Sequence, residues 1–210
     1  YRLLSEFMLQ QTQVKTVIPY FNNFVKIIPN LKSLSNSGEK KILKLWEGLG
    51  YYRRAKNLHK TSKILIKKYN GQIPNNFIKL KELPGIGNYT ANILLALIYN
   101  EPRIGLDGNV RRVLSRLFNS DVEEAVNLFK TKRNNDLAEA LMEFGALICK
   151  PKEPKCNECN IKKICKYYKS EFKITPKKKI ENQLKSYDIF CYLKKTTKQI
   201  ALTKNNKLGF

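Results

Sequence analysis

Apolar side chains recur along most of this chain at the three- and four-residue spacing of helices. In the opening stretch Ser5–Val14 and just beyond it, Phe7, Met8, Leu9, Val14, Val17 and Ile18 mark a buried face. Phe21, Phe24, Val25 and Ile28 predict a second helix from Pro19 to Ile28, which Pro29 ends. Leu31 and Leu34 lead into a loop at Ser35–Gly38, and Lys40–Trp46 reads as a short helix. Ala55–Tyr69 is amphipathic, and Asn70-Gly71 closes it as a left-handed cap would. Asn75–Leu83 runs into the tight turn Leu83-Pro84-Gly85-Ile86-Gly87. Ala91–Tyr99 follows, apolar nearly all round, as a buried helix is. Further helices are predicted at Arg111–Leu117, Val122–Phe129 and Leu137–Ile148; in the last, Leu137, Ala140, Leu141, Phe144 and Ile148 share one stripe. Beyond Tyr168 the character changes. Pro176-Lys177-Lys178-Lys179 reads as a linker, and Tyr187–Leu193 and Gln199–Thr203 read as strands. The fold class expected is all-α, with the start of a β segment at the end.

Charge narrows the class of partner. Lys and Arg number 40 against 17 Asp and Glu among 210 residues, a formal charge of +23. Such an excess points to a polyanion, nucleic acid first, although an AT-rich genome also enriches Lys, Asn and Ile. No apolar run is long enough to span a bilayer, and no secretory signal opens the chain. The chain begins at Tyr1, without Met, and stops at Phe210 in strand-like sequence, so it is expected to be cut at both ends. One His, in Leu58-His59-Lys60, leaves little room for His-rich metal sites and reads as structural. Four of the five Cys cluster, which favours a metal site over disulfides; Cys191 stands apart as an ordinary thiol.

Several stretches can carry chemistry. Gly85 and Gly87 let the backbone turn tightly and leave amides uncovered at a helix start, an arrangement that accepts phosphate. A few residues past the helix after them sits one carboxylate, Asp107, in Leu106-Asp107-Gly108-Asn109. Glu6 stands among apolar neighbours, where it either faces solvent or is desolvated with a raised pKa. Gln10, Gln11 and Gln13 suit hydrogen bonding to bases. In Gly48-Leu49-Gly50-Tyr51-Tyr52-Arg53-Arg54 the aromatics either pack or wedge between bases, and the arginines can hold phosphate. Cys149, Cys156, Cys159 and Cys165 are separated by six, two and five residues. Four thiolates bind either zinc or an iron–sulfur cubane. The lysines between them make that loop basic.

Four of these stretches carry a resemblance to a known family. Leu83-Pro84-Gly85-Ile86-Gly87 with Asp107 resembles the helix-hairpin-helix, Gly/Pro-rich loop and aspartate signature of the DNA glycosylase superfamily. Glu6-Phe7-Met8-Leu9-Gln10-Gln11-Thr12 and Trp46–Tyr52 closely resemble the MutY-type adenine glycosylases. The cysteine spacing resembles the cluster loop of endonuclease III and MutY glycosylases. The resemblance covers roughly Leu4 to Tyr168.

It implies a two-lobed helical enzyme of base-excision repair: a helical bundle with the hairpin over 5–103, a helical and cluster domain over 104–170, a linker over 171–184, and over 185–210 the incomplete start of a Nudix-like domain. It further implies a [4Fe–4S] cluster on Cys149, Cys156, Cys159 and Cys165. Glu6 and Asp107 would be the catalytic carboxyls, and Gln11, Leu49, Tyr51, Gly85, Gly87, Tyr89 and Asn109 would contact DNA or the sugar. The expected partner is duplex DNA with adenine opposite 8-oxoguanine or G, the expected place the bacterial cytoplasm at the nucleoid, and the expected state a monomer. Bifunctional relatives carry a Schiff-base Lys where this chain has Tyr89, so hydrolysis without strand cleavage is implied. The rival readings are a bifunctional endonuclease III-type enzyme, a DNA-binding module without chemistry, and a zinc-stabilised binding protein.

Overall fold

The computed structural model describes residues 1–119, 122 and 131–170, together with the backbone of two strands. Its two compact units are Tyr1–Phe172 and Lys173–Phe210. The predicted helix at 122–129, the linker and the remainder of the Nudix-like segment lie outside the described residues.

The first unit is helical: α1 (Arg2–Leu9), α2 (Val14–Ile27), α3 (Leu31–Asn36), α4 (Glu39–Leu45), α5 (Arg53–Tyr69), α6 (Phe77–Lys81), α7 (Asn88–Tyr99), α8 (Gly108–Phe118), α9 (Asn134–Leu147) and α10 (Lys166–Lys169). A 3-10 turn, Cys156–Glu158, lies in the cysteine loop. Local chemistry explains most boundaries. Asn30 and Asn76 cap α3 and α6 by accepting from the Ser33 amide at 2.8 Å and the Lys79 amide at 3.0 Å. Asn70, Asn100 and Asn119 end α5, α7 and α8 in the left-handed conformation.

Two sequence expectations are corrected. The second helix starts at Val14, not Pro19, which sits inside it and removes the donor that would meet the Lys15 carbonyl. Val14 and Ile18 are then exposed on α2, because α1 stops at Leu9 and the chain turns through Gln10–Gln13. The loop expected at Ser35–Gly38 begins later, since the Asn30 cap carries α3 through Asn36.

The larger apolar cluster gathers Phe7, Met8, Phe24, Trp46, Leu58, Leu65, Leu94 and their neighbours, all drawn from residues 3–95. A second joins Ile104, Val110, Val113, Leu114 and Leu141. Ile93 and Ala96 of α7 meet Ala138 of α9 in a third, so α7 serves both bodies of core. Burial of Ala91 and Ile93–Ala96 matches the apolar run of α7, with Asn88 and Ile98 left exposed. In the second unit β1 (Phe190–Lys194) pairs antiparallel with β2 (Gln199–Thr203), with Tyr192 opposite Ala201.

Candidate active site

The hairpin between α6 and α7 is built as the glycines require. Gly85 has φ +81° and faces Phe7 and Asn57 so closely that an added Cβ would meet Phe7 Cε1 at 2.8 Å and Asn57 Cβ at 2.9 Å. Thr61 donates to the Pro84 carbonyl at 2.9 Å and Gln10 Nε2 to the Gly85 carbonyl at 3.2 Å. The hairpin is thus tied to α5 and to the end of α1. Gly87 is the N-cap of α7, with open space where its Cβ would be. Gly85→Ala should lower the melting temperature by several degrees, because a left-handed Ala costs about 1–2 kcal/mol before any clash; an unchanged melt would contradict this packing.

Glu6 lies on α1 and is 7% exposed. Burial pushes its carboxyl pKa up from 4.5 to about 7, against an opposing pull from Arg2. Of the two readings open from sequence, the desolvated one is what the structure shows. Tyr89 stands in the first turn of α7, half-buried. Its phenol pKa is raised by burial first, then by the negative charges of Glu6 and Asp107. Both carboxyls therefore lie near enough to influence one hydroxyl, although 101 residues separate them in the chain. The Tyr89 hydroxyl donates to Met142 Sδ at 3.4 Å. Gly105 makes room for the Tyr89 ring: a Cβ there would meet Cε2 at 2.8 Å.

Asp107 is the N-cap of α8. Its Oδ1 accepts the Val110 amide at 2.7 Å, and Asn109 Nδ2 approaches its Oδ2 at 3.4 Å. Asn109 is in turn held by Arg112, whose Nη2 donates to Asn109 Oδ1 at 2.8 Å and to the Gly145 carbonyl at 2.7 Å. Arg112 Nε donates to the Cys149 carbonyl at 2.8 Å. One guanidinium thus joins the Asp107 turn, the end of α9 and the start of the cysteine loop. Gly145 permits this approach, since a Cβ there would meet Asn109 Cβ at 2.8 Å.

The four cysteines, each part-buried, line one small cavity with Arg116, Phe144 and Tyr167. Burial raises the Cys156 thiol pKa, and the other three sulfurs raise it further. Arg116 donates to Cys149 Sγ at 3.4 Å and to the Lys150 and Pro151 carbonyls at 2.7 and 3.0 Å, and stacks 5.0 Å from the Tyr167 ring. Among the described residues no group of three or more His, Cys, Asp or Glu side chains is gathered so as to hold a metal ion. The thiols ring a space; they do not converge on a point.

Past the C-terminal end of α1, Gln11 and Tyr51 are exposed and line a groove of about 520 Å³ with Gln10, Tyr52, Arg53 and Asn57. Leu49, expected beside DNA, is instead 6% exposed and packs in the main core. Arg54, expected on phosphate, is buried and donates to backbone carbonyls; Arg53 remains exposed. His59 is buried beside α3, as a structural residue. Sequence reasoning gave Arg54 another role and passed over Gly105, Arg112, Met142 and Gly145. Only Gly145, a glycine inside a helical stripe, carried a local signal of close approach.

Comparison with known proteins agrees with this geometry. The family model described as "HhH-GPD superfamily base excision DNA repair protein" matches residues 4–135. An adenine DNA glycosylase of Buchnera aphidicola subsp. Baizongia pistaciae is 41% identical over 98% of this chain. The human adenine DNA glycosylase is 34% identical over 78% of it. The chain spans 62% of the length of the Buchnera relative and 32% of the human one. Among solved structures, a thermostable thymine-DNA glycosylase is 27% identical with a TM-score of 0.72, over 80% of this chain and 83% of that one. An endonuclease III in a non-covalent DNA complex, 24% identical with a TM-score of 0.68, shares the fold over the same shares of the two chains. With its hairpin, its capping aspartate and a family match across well over half its length, the chain belongs to the HhH-GPD superfamily of base excision DNA repair proteins.

Proposed function

We propose that this chain carries the excision chemistry of a monofunctional adenine DNA glycosylase, acting on adenine opposite 8-oxoguanine or G in duplex DNA. The observation that carries the reading is a buried acid, Glu6, with its pKa raised to about 7, and a second carboxyl, Asp107, capping α8, both near enough to Tyr89 to raise its phenol pKa. Two carboxyls set apart by their surroundings are what glycosidic-bond hydrolysis uses. The names of the adenine-glycosylase relatives support the same substrate.

In this mechanism the target adenine leaves the stack, at a cost of a few kcal/mol. Glu6, a large part of it still protonated near pH 7, gives its proton to adenine N7 and makes the base a better leaving group. The sugar becomes oxocarbenium-like, and the Asp107 carboxylate stabilises it. Glu6, now ionised, takes a proton from the attacking water. Tyr89 and Asn109 orient Asp107 and the sugar. Tyr89 has no amine, so no Schiff base forms and the product is an intact strand with an abasic site. Uncovered amides at Gly85 and Gly87 hold backbone phosphate, while Gln11 and Tyr51 hold the opened helix; the buried Leu49 supports that turn from beneath.

We assign the two lobes to 5–103 and 104–170, a division supported by apolar clusters drawn from residues 3–95 and 104–141. The duplex would lie against both. Cys149, Cys156, Cys159 and Cys165 would hold a [4Fe–4S] cluster, which fits thiols set around a cavity. Bound there, it would cross-link the loop that Arg112 and Arg116 attach to α8.

The test is adenine release from duplexes holding A opposite 8-oxoguanine, G or T, with and without alkali. Free adenine from the first two, with strand breaks only after alkali, is the expected result. Breaks without alkali would make the enzyme a lyase, and binding without release would make it a DNA-binding module.

A further inference from the structure

The groove at the end of α1 contains two residues whose backbones are out of the ordinary. Gln11 has φ +57° and Tyr51 φ +50°. The left-handed region is unfavourable for residues with a Cβ. Asn70, Asn100 and Asn119 also occupy it, but each ends a helix, where that conformation satisfies orphan carbonyls. Gln11 and Tyr51, like Glu153 in the cysteine loop, close no helix in this way; Gln11 sits in the turn after α1 that the Thr12 amide closes on the Leu9 carbonyl at 3.2 Å.

What the two share is Arg54. From Nη1 it donates to the carbonyls of Phe7 at 3.3 Å, Met8 at 2.6 Å and Gln10; from Nη2 it donates to those of Leu49 at 3.5 Å and Gly50 at 3.2 Å. The Gln10 carbonyl belongs to the same peptide plane as the Gln11 amide, and the Gly50 carbonyl to the same plane as the Tyr51 amide. Fixing those two carbonyls fixes the peptide plane that precedes each unusual φ angle. The guanidinium carbon also lies 5.2 Å from the Tyr51 ring and 5.6 Å from the Trp46 ring. Trp46 Nε1 donates to the same Gly50 carbonyl at 3.1 Å. The first carbonyl in the set, that of Phe7, follows Glu6 directly in α1.

We propose that Arg54 is a positioning residue that holds Gln11 and Tyr51 pre-aimed at the mispair and links the Tyr51 turn to the helix bearing Glu6. This rests on the glycosylase reading above. Planarity is what the role needs: a guanidinium forks to two segments at once, whereas an ammonium on the same stem cannot reach both sets of carbonyls. Selectivity follows, because side chains already set in the bound conformation bind without a further ordering cost.

The test compares wild type, Arg54→Lys, Tyr51→Ala and the double variant for binding to a duplex with A opposite 8-oxoguanine and to its fully matched counterpart. Arg54→Lys should reduce the preference for the mispaired duplex about tenfold or more and leave matched-duplex affinity within about threefold. In the Tyr51→Ala background the same change should have little further effect. Equal losses on both duplexes, additive losses, or no loss would overturn the proposal. Trp46 is the only tryptophan in the chain, so its emission reports on this node in protein with Arg54 intact, should Arg54→Lys not fold. Mispaired duplex should shift Trp46 emission in wild type but not in Tyr51→Ala; a shift surviving in Tyr51→Ala would also overturn it. A wild type that releases no adenine would refute the glycosylase reading instead, whatever the variants do.

Discussion

Glu6→Gln should give a protein that no longer releases adenine yet melts higher than wild type at pH 8. Both effects come from one buried carboxyl. In the unfolded chain Glu6 titrates near 4.5; in the fold, burial holds it at about 7. Between these values the native state binds more protons than the unfolded one, so stability falls as pH rises through that window. The difference amounts to roughly 3 kcal/mol once the group is fully ionised, at about 1.4 kcal/mol per pKa unit. Gln has nearly the same shape and never ionises, so it escapes that loss. At pH 4 or below, under both values, the two proteins should melt together, and at pH 8 the variant should stand several degrees higher. Excision should fall by about 10²–10⁴-fold, the usual worth of a general acid and base. Wild-type excision should itself decline as pH rises through about 7, where Glu6 loses its proton. Thermal melts at the two pH values decide the matter: a difference between variant and wild type that does not change with pH would mean that Glu6 is not the buried acid described here.

The same residue shows how far the sequence alone can be read. Periodicity locates most of the helices, because apolar spacing and Asn or Gly caps are local signals, and α5 with Asn70-Gly71 or the uniformly apolar α7 follow directly from them. A carboxyl among apolar neighbours leaves two readings open at Glu6, and only the packing of α1 against α2, α5 and α7 chooses between them. Where α1 ends is not local at all. Its last carbonyls are met by Arg54, some 45 residues away, and nothing between Leu9 and Val14 advertises that partner. The double arginine at 53–54 looks like one basic patch in sequence; in the fold its two members go to solvent and to the interior. Asp107 is legible as an isolated acid before a glycine, but its support is not. Asn109, Arg112 and Gly145 act together because α8 and α9 cross closely, and a contact between residues 33 positions apart leaves no mark in either helix. The sequence motifs therefore point to the reacting groups, and long-range contacts supply the residues that hold them.

Asp107→Asn should separate the two roles of that aspartate. As the α8 cap it accepts the Val110 amide at 2.7 Å, and an Asn side-chain oxygen can accept the same bond, since Asn and Asp rank together at this position. What is lost structurally is the attraction between a full negative charge and the helix N-terminus, about 0.3–1 kcal/mol. The variant should fold, melt within a few degrees of wild type and bind mispaired duplex. Its chemistry should fail, because a developing oxocarbenium cation needs a charge beside it and an amide offers only a dipole. A loss of at least about 10²–10³-fold in single-turnover excision is expected, the scale on which removal of a preorganised electrostatic group is felt. Asp107→Ala supplies the contrast. It should be equally inactive but less stable than Asp107→Asn, by about 0.5–2 kcal/mol, because the cap itself is then missing. Equal activity with unequal stability in the two variants would assign the charge to catalysis and the hydrogen bond to folding. An Asp107→Asn protein that excises adenine near the wild-type rate would remove Asp107 from the chemistry and leave Glu6 without its partner across Tyr89.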